Sequence, residues 1–383
     1  MKVTFLGSSS SLDNEICYIH GLQERGISLQ YFFCNRENIN PLFRLEKEYP
    51  IGIIPASEIQ EMHIYKKYIK LDGIYMVNAY KLRFRSPKLW FLYFQVIKKI
   101  KKFNPDIIHH AWPWVRVPAL TYLLNKKMSM FVHDPIPHSS NTSKIEAFYR
   151  RLGFKRANKL ILLNNKTTKE FCDKYSISPK KISFSNLCIF DYLDIVKYIP
   201  CNEEKKYILF FGQIASYKGL DLLLNAMTIV HQSHANWKLI VAGGGNMYFD
   251  ISSYKKLDYI EIRNRFIDIP ELVGLIKGCE FVVAPYRDAT QSGVVNNTLS
   301  LNKPIIVSRV GNFEDEVIND ITGIVVNPNS VNELVEAINK MIENDSLRSD
   351  MGHNISKEWR NNRDNMKIIS GLIDIFDDTI NES

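Results

Sequence analysis

The stretch Tyr207-Ile208-Leu209-Phe210-Phe211-Gly212-Gln213-Ile214-Ala215-Ser216-Tyr217-Lys218-Gly219-Leu220-Asp221 sets the reading of the whole chain. Its first five residues are an apolar run of β-formers, the pattern of a buried parallel strand. Gly212 ends the run, a small polar loop carries Lys218, and Gly219 precedes a segment from Leu220 to Met227 with helical apolar spacing. A strand, a glycine turn and a helix start together bind anions. Free N–H groups and the positive helix end face the anion, and Lys218 adds a full charge. An ordinary strand-to-helix turn with a surface lysine would look the same in isolation, so the flanking sequence has to decide.

The chain has 383 residues, more than one core normally holds, which sets two domains as the expectation. With 45% hydrophobic and 23% charged residues it is globular in composition. Lys and Arg number 49 against 41 Asp and Glu, a net charge of +8 that favours anionic partners without identifying one. The six cysteines are scattered without a C-x-x-C pair, which argues against a zinc ribbon or a secreted disulfide framework and for a reduced, cytoplasmic protein. Met1 to Gly7 has too short an apolar run for a signal-peptide core and reads as a first strand. No segment approaches the roughly 18 apolar residues of a transmembrane helix.

Upstream, Val3–Leu6 is a strand, Gly7-Ser8-Ser9-Ser10-Ser11 a loop, and a helix from about Asn14 to Arg25 leads to a second strand at Ile27–Phe33. This is a Rossmann-like opening, but serines stand where G-x-G-x-x-G would place its second and third glycines, so a dinucleotide is discounted. Residues 65–102 are basic and aromatic, with Asp72 the single acid. That mixture suits a peripheral membrane contact, whereas a solvated helix with core aromatics accounts for it equally and nucleic acid less well. Further strands at Ile107–His110 and Met128–Val132 follow, and the second delivers His133-Asp134-Pro135-Ile136-Pro137-His138 to its carboxyl end, where open α/β sheets bind ligands. His133 there can touch substrate or simply be structural. Strands near 159–164 and 182–186 close this half, and the charged, proline-marked 199–206 reads as a linker.

The pattern then restarts. After Tyr207–Phe211 come strands at 237–242, 260–266, 279–285, 303–308 and 322–326, alternating with helices. Gly243-Gly244-Gly245 would let a ligand approach the backbone, and Thr290-Gln291-Ser292-Gly293-Val294 presents N–H groups before a helix. His231 and His234 share a helix face without nearby carboxylates, a poor zinc set. No P-loop, no G-x-S-x-G elbow and no Asp-x-Asp occurs.

Taken together, Asn104-Pro105-Asp106-Ile107-Ile108-His109, His133-Asp134-x-x-Pro137, Phe211-Gly212-Gln213-x4-Lys218-Gly219, Ala242-Gly243-Gly244-Gly245, the 285–294 loop, Lys303-Pro304-Ile305-Ile306 and Ile321-Thr322-Gly323 resemble glycosyltransferase family 4 over nearly the whole chain. The resemblance implies an α/β GT-B fold: two Rossmann-like domains facing each other across a cleft, with a C-terminal helix crossing back. The expected limits are 1–198 for an acceptor domain, 199–206 for the linker, 207–360 for a donor domain and 361–383 for the returning helix. The implied reaction is retaining, metal-independent transfer of a sugar from a UDP- or GDP-sugar to a glycan or lipid-linked acceptor, as in capsule, O-antigen or exopolysaccharide synthesis. No cofactor and no nucleic acid are expected, and the cytoplasmic face of the membrane is the implied location. Lys218 and His133 would be the catalytic pair. Gly212, Gln213, Gly243, Gly244, Gly245, Gln291, Ser292, Gly293, Val294 and Asn297 would hold the donor, and Gly7, Ser8, Ser9 and Asp134 would face the acceptor.

Three positions depart from the family. Gln213 stands where an arginine usually helps neutralise the diphosphate. Ala289 and Asn297 occupy the two glutamate positions of its E-x7-E pair. Serines replace glycines in the first loop. A nucleotide-sugar 2-epimerase of the same fold, or a module that binds without catalysis, are the competing classes.

Overall fold

The computed structural model describes residues 1–35, 44–83, 85–111, 121, 123–133, 135, 144–163, 165–204, 206–289 and 292–382. They form two compact units, Met1–Cys188 with Asp364–Ser383, and Ile189–Arg363. The chain passes from one to the other after Cys188 rather than after residue 198, because the segment before the expected linker is bonded into the second unit. Phe190 N–H donates to Ser300 Oγ at 2.9 Å, Ile199 N–H to Pro270 O at 3.1 Å, and Arg360 pairs with Asp194 at 2.5 Å.

The first unit holds an eight-stranded sheet in the order β3-β4-β2-β1-β5-β6-β7-β8. These strands are Gly52–Pro55 (β3), Ile74–Asn78 (β4), Ser28–Asn35 (β2), Lys2–Ser8 (β1), Ile107–His110 (β5), Lys127–Val132 (β6), Lys159–Leu162 (β7) and Ile182–Phe184 (β8). All neighbours run parallel except β3, which pairs antiparallel with β4. Apolar strands of this kind are covered on both faces, which is why Val3, Phe5, Ile107, Ile108, Met128 and Met130 are fully buried.

The second unit is a six-stranded parallel sheet in the order β11-β10-β9-β12-β13-β14. Its strands are Ile260–Arg263 (β11), Lys238–Ala242 (β10), Tyr207–Phe211 (β9), Phe281–Ala284 (β12), Ile305–Ser308 (β13) and Gly323–Val326 (β14). In both sheets the chain order reverses beside the first strand. β1 lies between β2 and β5, and β9 between β10 and β12. The carboxyl ends of β1 and β9 are therefore the topological switch points, where such sheets bind ligands.

The basic aromatic stretch 65–102 resolves into parts with different roles. Tyr65 and Tyr93 are core residues, Ile74–Asn78 is a strand, and Phe84 lies outside the described residues. Helix Pro87–Phe103 buries Leu89, Leu92, Tyr93, Val96, Ile97 and Ile100. Its opposite face leaves Phe91 and Phe94 64% and 65% exposed among Lys88, Lys98, Lys99, Lys101 and Lys102, with no acid in the helix. No described helix is long and apolar enough to cross a membrane.

The last helix, Asn365–Asn381, belongs to the first unit. It lies so close to helix Leu12–Glu24 that a Cβ on Gly21 would come 2.3 Å from Ile369 Cγ1. Phe376 is fully buried, with its ring 5.2 Å from that of His109. Phe376→Ala should therefore cost the first unit about 3–5 kcal/mol in urea unfolding. An unchanged midpoint would mean the helix does not dock on the sheet.

Candidate functional site

At the carboxyl end of β9 the backbone turns sharply. Gly212 has φ +99° and Gly219 φ +68°, both in the region that favours glycine. A Cβ on Gly219 would stand 2.1 Å from Pro285 O, so the loops after β9 and β12 touch backbone to backbone there. Between the two glycines Lys218 folds inward and is only 8% exposed. Its Nζ lies 5.1 Å from the centre of the Tyr286 ring and 6.0 Å from that of Tyr217. A Cβ placed on Gly212 would be 3.0 Å from this Nζ and 3.2 Å from Val294 Cγ2. The ammonium thus sits where the β9 loop meets the first turn of helix Gly293–Ser300.

A buried cation is costly unless something compensates it. Among the described residues no carboxylate lies within ion-pair distance of Lys218. Burial pushes its pKa down, but Tyr286 and Tyr217 outweigh that and hold it above the usual lysine value, so the charge is retained. The neighbouring helix end adds positive character. Ser292 caps it by accepting the Val294 N–H at 3.1 Å, and its hydroxyl lies 3.2 Å from Tyr286 Oη. At the exposed Gly293 a Cβ would meet nothing nearer than Asn297 Nδ2 at 3.9 Å. No atom of the described residues requires glycine at this position. Among the described residues the arrangement leaves space at a helix N-terminus beside a cation with no carboxylate partner, the geometry of an anion site.

The other expected donor residues divide. Gln213 is exposed. Gly243 and Gly245 are accounted for by the fold: a Cβ would come 1.9 Å from Gly212 O at the first and 2.3 Å from Ile214 O at the second. The two loops are zipped by Gly212 N–H to Ala242 O and Ile214 N–H to Gly244 O, each 3.0 Å. Gly244 has ordinary contacts only. Asn297 is buried and donates Nδ2–H to Gly293 O at 2.7 Å, while its Oδ1 is enclosed without a hydrogen bond among the described residues. Ala289 is buried, and Gln291 lies outside the described residues.

In the first unit the carboxyl end of β1 is built around a residue the sequence did not single out. Glu15 is fully buried and accepts the Ser8 N–H at 3.2 and 3.3 Å, the Ser11 hydroxyl at 2.5 Å and the Tyr31 hydroxyl. Gly7 makes room for it, since a Cβ there would collide with Glu15 Oε2. Ser8 and Ser9 are buried, and Ser9 Oγ donates to Asn35 Oδ1 at 3.3 Å. Gly7, Ser8 and Ser9 therefore close the loop upon itself. Burial pushes the Glu15 carboxyl up to about 8 and that of Asp13 to about 6. In the sequence Glu15 looks like any acid in the first turn of a helix.

His133 leaves β6 half-buried, and its Nε2–H donates to Ala111 O at 2.9 Å. That bond fixes the ring at the carboxyl edge of the sheet, where the sequence expected it. Asp134 lies outside the described residues. His109 is an interior residue: Nδ1 is 2.9 Å from Ser129 Oγ, and burial holds its pKa well below the ordinary value. His231 stacks on Tyr259 with ring centres 3.5 Å apart. Among the described residues no three His, Cys, Asp or Glu side chains gather as metal ligands.

Two family models match the chain, "Glycosyl transferases group 1" over residues 194–358 and "Glycosyltransferase Family 4" over residues 56–184. An uncharacterised glycosyltransferase of Methanocaldococcus jannaschii is 27% identical over 317 residues, covering 81% of this chain and 82% of that protein. The capsular polysaccharide biosynthesis glycosyltransferase CapM of Staphylococcus aureus is 24% identical over 189 residues, 49% of this chain and 50% of that one. Among solved structures, HepE of Anabaena in complex with UDP and glucose superposes with a TM-score of 0.71 at 14% identity, covering 98% of this chain and 99% of that one.

The Glu15 carboxyl gives a pH signature. Its folded pKa of about 8 lies above the ordinary 4.5, so the native state holds a proton that the unfolded chain releases. That contribution is complete below the ordinary value and is lost as pH rises through the folded one. Glu15→Gln should remove the slope. Its unfolding free energy relative to the native protein, from urea titration, should improve as pH rises from 5 to about 8 and level off beyond, by a few kcal/mol in all. Parallel pH profiles would sink the assignment.

Proposed function

We propose, from the premise that the chain belongs to glycosyltransferase family 4 and is a glycosyltransferase of GT-B fold, that it transfers a sugar from a nucleoside-diphosphate sugar with retention and without a metal. The observation that carries this reading is the Lys218 ammonium, buried beside Gly212 and Val294 with no carboxylate partner among the described residues. A diphosphate supplies the missing counter-charge. Its oxygens fit the open space at Gly293 and the free N–H groups of the helix end.

In the reaction proposed, the bond between the sugar's anomeric carbon and the diphosphate oxygen breaks while the acceptor oxygen bonds to the same carbon on the same face. The acceptor's hydroxyl proton passes to the departing phosphate oxygen, which balances charge without a separate protein base. Lys218 stabilises the negative charge that grows on the leaving group, an interaction stronger in the transition state than before it. UDP-glucose is the first donor to test, because the HepE neighbour binds UDP and glucose.

The acceptor side is assigned to the first unit, with His133 at its sheet edge. The Glu15 carboxyl there, held protonated by burial, occupies the Ser8 N–H that would otherwise face an anion and leaves the site suited to a neutral sugar hydroxyl. Likeness to CapM over half of each chain supports a glycan or lipid-linked saccharide of polysaccharide synthesis as acceptor. A lipid-linked acceptor would bring the chain to a membrane surface, and the exposed face of helix Pro87–Phe103 has the chemistry to meet one. Lysines attract anionic headgroups at about 1 kcal/mol each, and the two phenylalanines can settle at the acyl boundary.

Two measurements test the reading. Lys218→Ala should lower donor turnover about a hundredfold, and turnover by the native protein should persist in EDTA. A native rate in the variant, or a metal-reversible loss in EDTA, would overturn it. The native protein should also sediment with phosphatidylglycerol vesicles but not with phosphatidylcholine vesicles. Phe91→Ser with Phe94→Ser should abolish the binding, and retention by this double variant would clear the helix of that role.

A further inference from the structure

Three loops that follow different strands of the second sheet meet at Asp221, in the first turn of helix Leu220–Val230. From the loop after β12, Arg287 grips this carboxylate with both arms of its guanidinium, Nη1 to Oδ1 at 2.8 Å and Nη2 to Oδ2 at 2.6 Å. The same Nη1 donates to Ser216 O at 2.8 Å, and the Arg287 backbone N–H donates to Tyr217 O at 2.7 Å. From the loop after β10, Tyr248 donates its hydroxyl to Asp221 Oδ1 at 2.5 Å and accepts the Asp221 N–H at 3.3 Å. The carbonyls of both residues that precede Lys218 are thus held by one arginine, and that arginine is held by a carboxylate a tyrosine has already oriented.

A planar guanidinium bound side-on to a carboxylate fixes direction as well as distance, which a lysine cannot do. The pair carries no net charge, so it adds little attraction for an anion. Swinging Arg287 toward a ligand would strip Asp221 of two charge-assisted bonds and leave the Ser216 carbonyl only the longer bond from the Gly219 N–H at 3.3 Å.

We propose that Arg287, locked by Asp221 and Tyr248, is a positioning residue that aims the Lys218 ammonium at the donor diphosphate and touches no part of the donor itself. This rests on the reading of Lys218 as the diphosphate grip. It also explains how a loop with Gln213 exposed and a single buried cation keeps that cation in register, since a displacement of about 1 Å can cost a hundredfold in rate.

The test is a double-mutant cycle read by calorimetric titration of UDP into the full-length protein. Lys218→Ala should weaken UDP binding about a hundredfold, and Arg287→Gln about tenfold. The double variant should be no weaker than Lys218→Ala alone, because nothing remains to be aimed. Arg287→Lys should fail to restore affinity. The salt dependence of UDP binding should stay native in Arg287→Gln and flatten in Lys218→Ala. Should Arg287→Gln fail to fold, Tyr248→Phe removes one hydrogen bond to Asp221 and runs the same cycle with a smaller loss. Additive losses, or a flattened salt dependence in Arg287→Gln, would mean that the guanidinium binds the diphosphate directly and would overturn the proposal. Native affinity in both Arg287→Gln and Tyr248→Phe would reduce the cluster to scaffold. Native affinity in Lys218→Ala would instead remove the underlying reading of Lys218, a result separable from the other two.

Discussion

The constraint on which the second unit depends is the burial of one ammonium group without an acid to pair it among the described residues. Taking such a charge out of water costs several kcal/mol, and the fold offsets part of this with two aromatic rings, while the positive helix end beside it adds to the cost until an anion arrives. A carboxylate would have stabilised the empty protein better and left nothing for a ligand to do. Much of the local sequence follows from holding that lysine inward. Gly212 leaves room beside Nζ, Gly219 lets the loop lie against Pro285, and Gly243 and Gly245 let the loop after β10 close over residues 212–214.

The two sheets share the strand order around their first strands and differ in the group enclosed at the equivalent point, a charged ammonium in one and a protonated carboxyl in the other. At the carboxyl end of β9 the enclosed group is a cation, and the helix end near it is open. At the carboxyl end of β1 the enclosed group is Glu15, and the Ser8 N–H that would have faced an anion is turned onto it. The same strand-loop-helix device therefore selects opposite ligands by which side chain fills the turn. The first is suited to a phosphate, the second to a neutral hydroxyl.

What was legible in the sequence tracks how local each signal is. Tyr207–Phe211 declares its strand because five apolar residues in a row have one stable use at that length. Ile74–Asn78 was hidden, since its register is set by pairing with β2 and β3 and its own run is short and flanked by lysines. Gly243 and Gly245 were legible as special positions, but only the folded backbone shows that a neighbouring loop requires them. Glu15 could not be separated from a solvated first-turn acid, because its burial is produced by residues as distant as Tyr31. Asp221, Tyr248 and Arg287 lie too far apart along the chain for spacing to associate them.

Gln213 acquires its significance from charge balance within this unit. A nucleoside-diphosphate sugar brings about two negative charges on its diphosphate, and departure of the diphosphate adds up to about one more before the acceptor proton arrives. Lys218 offers one positive charge, and a helix N-terminus is equivalent to roughly half of another. With positive charge in deficit, placement has to supply what number does not. The field of an ammonium falls with distance, and it falls faster once water enters. A loop with two cations could tolerate some slack, because either could follow the moving charge. A loop with one buried cation can stabilise the transition state only if that cation already stands where the charge will appear. Rigid attachment of residues 216 and 217 to the loop after β12, itself tied through Asp221 to the loop after β10, is what such a site demands.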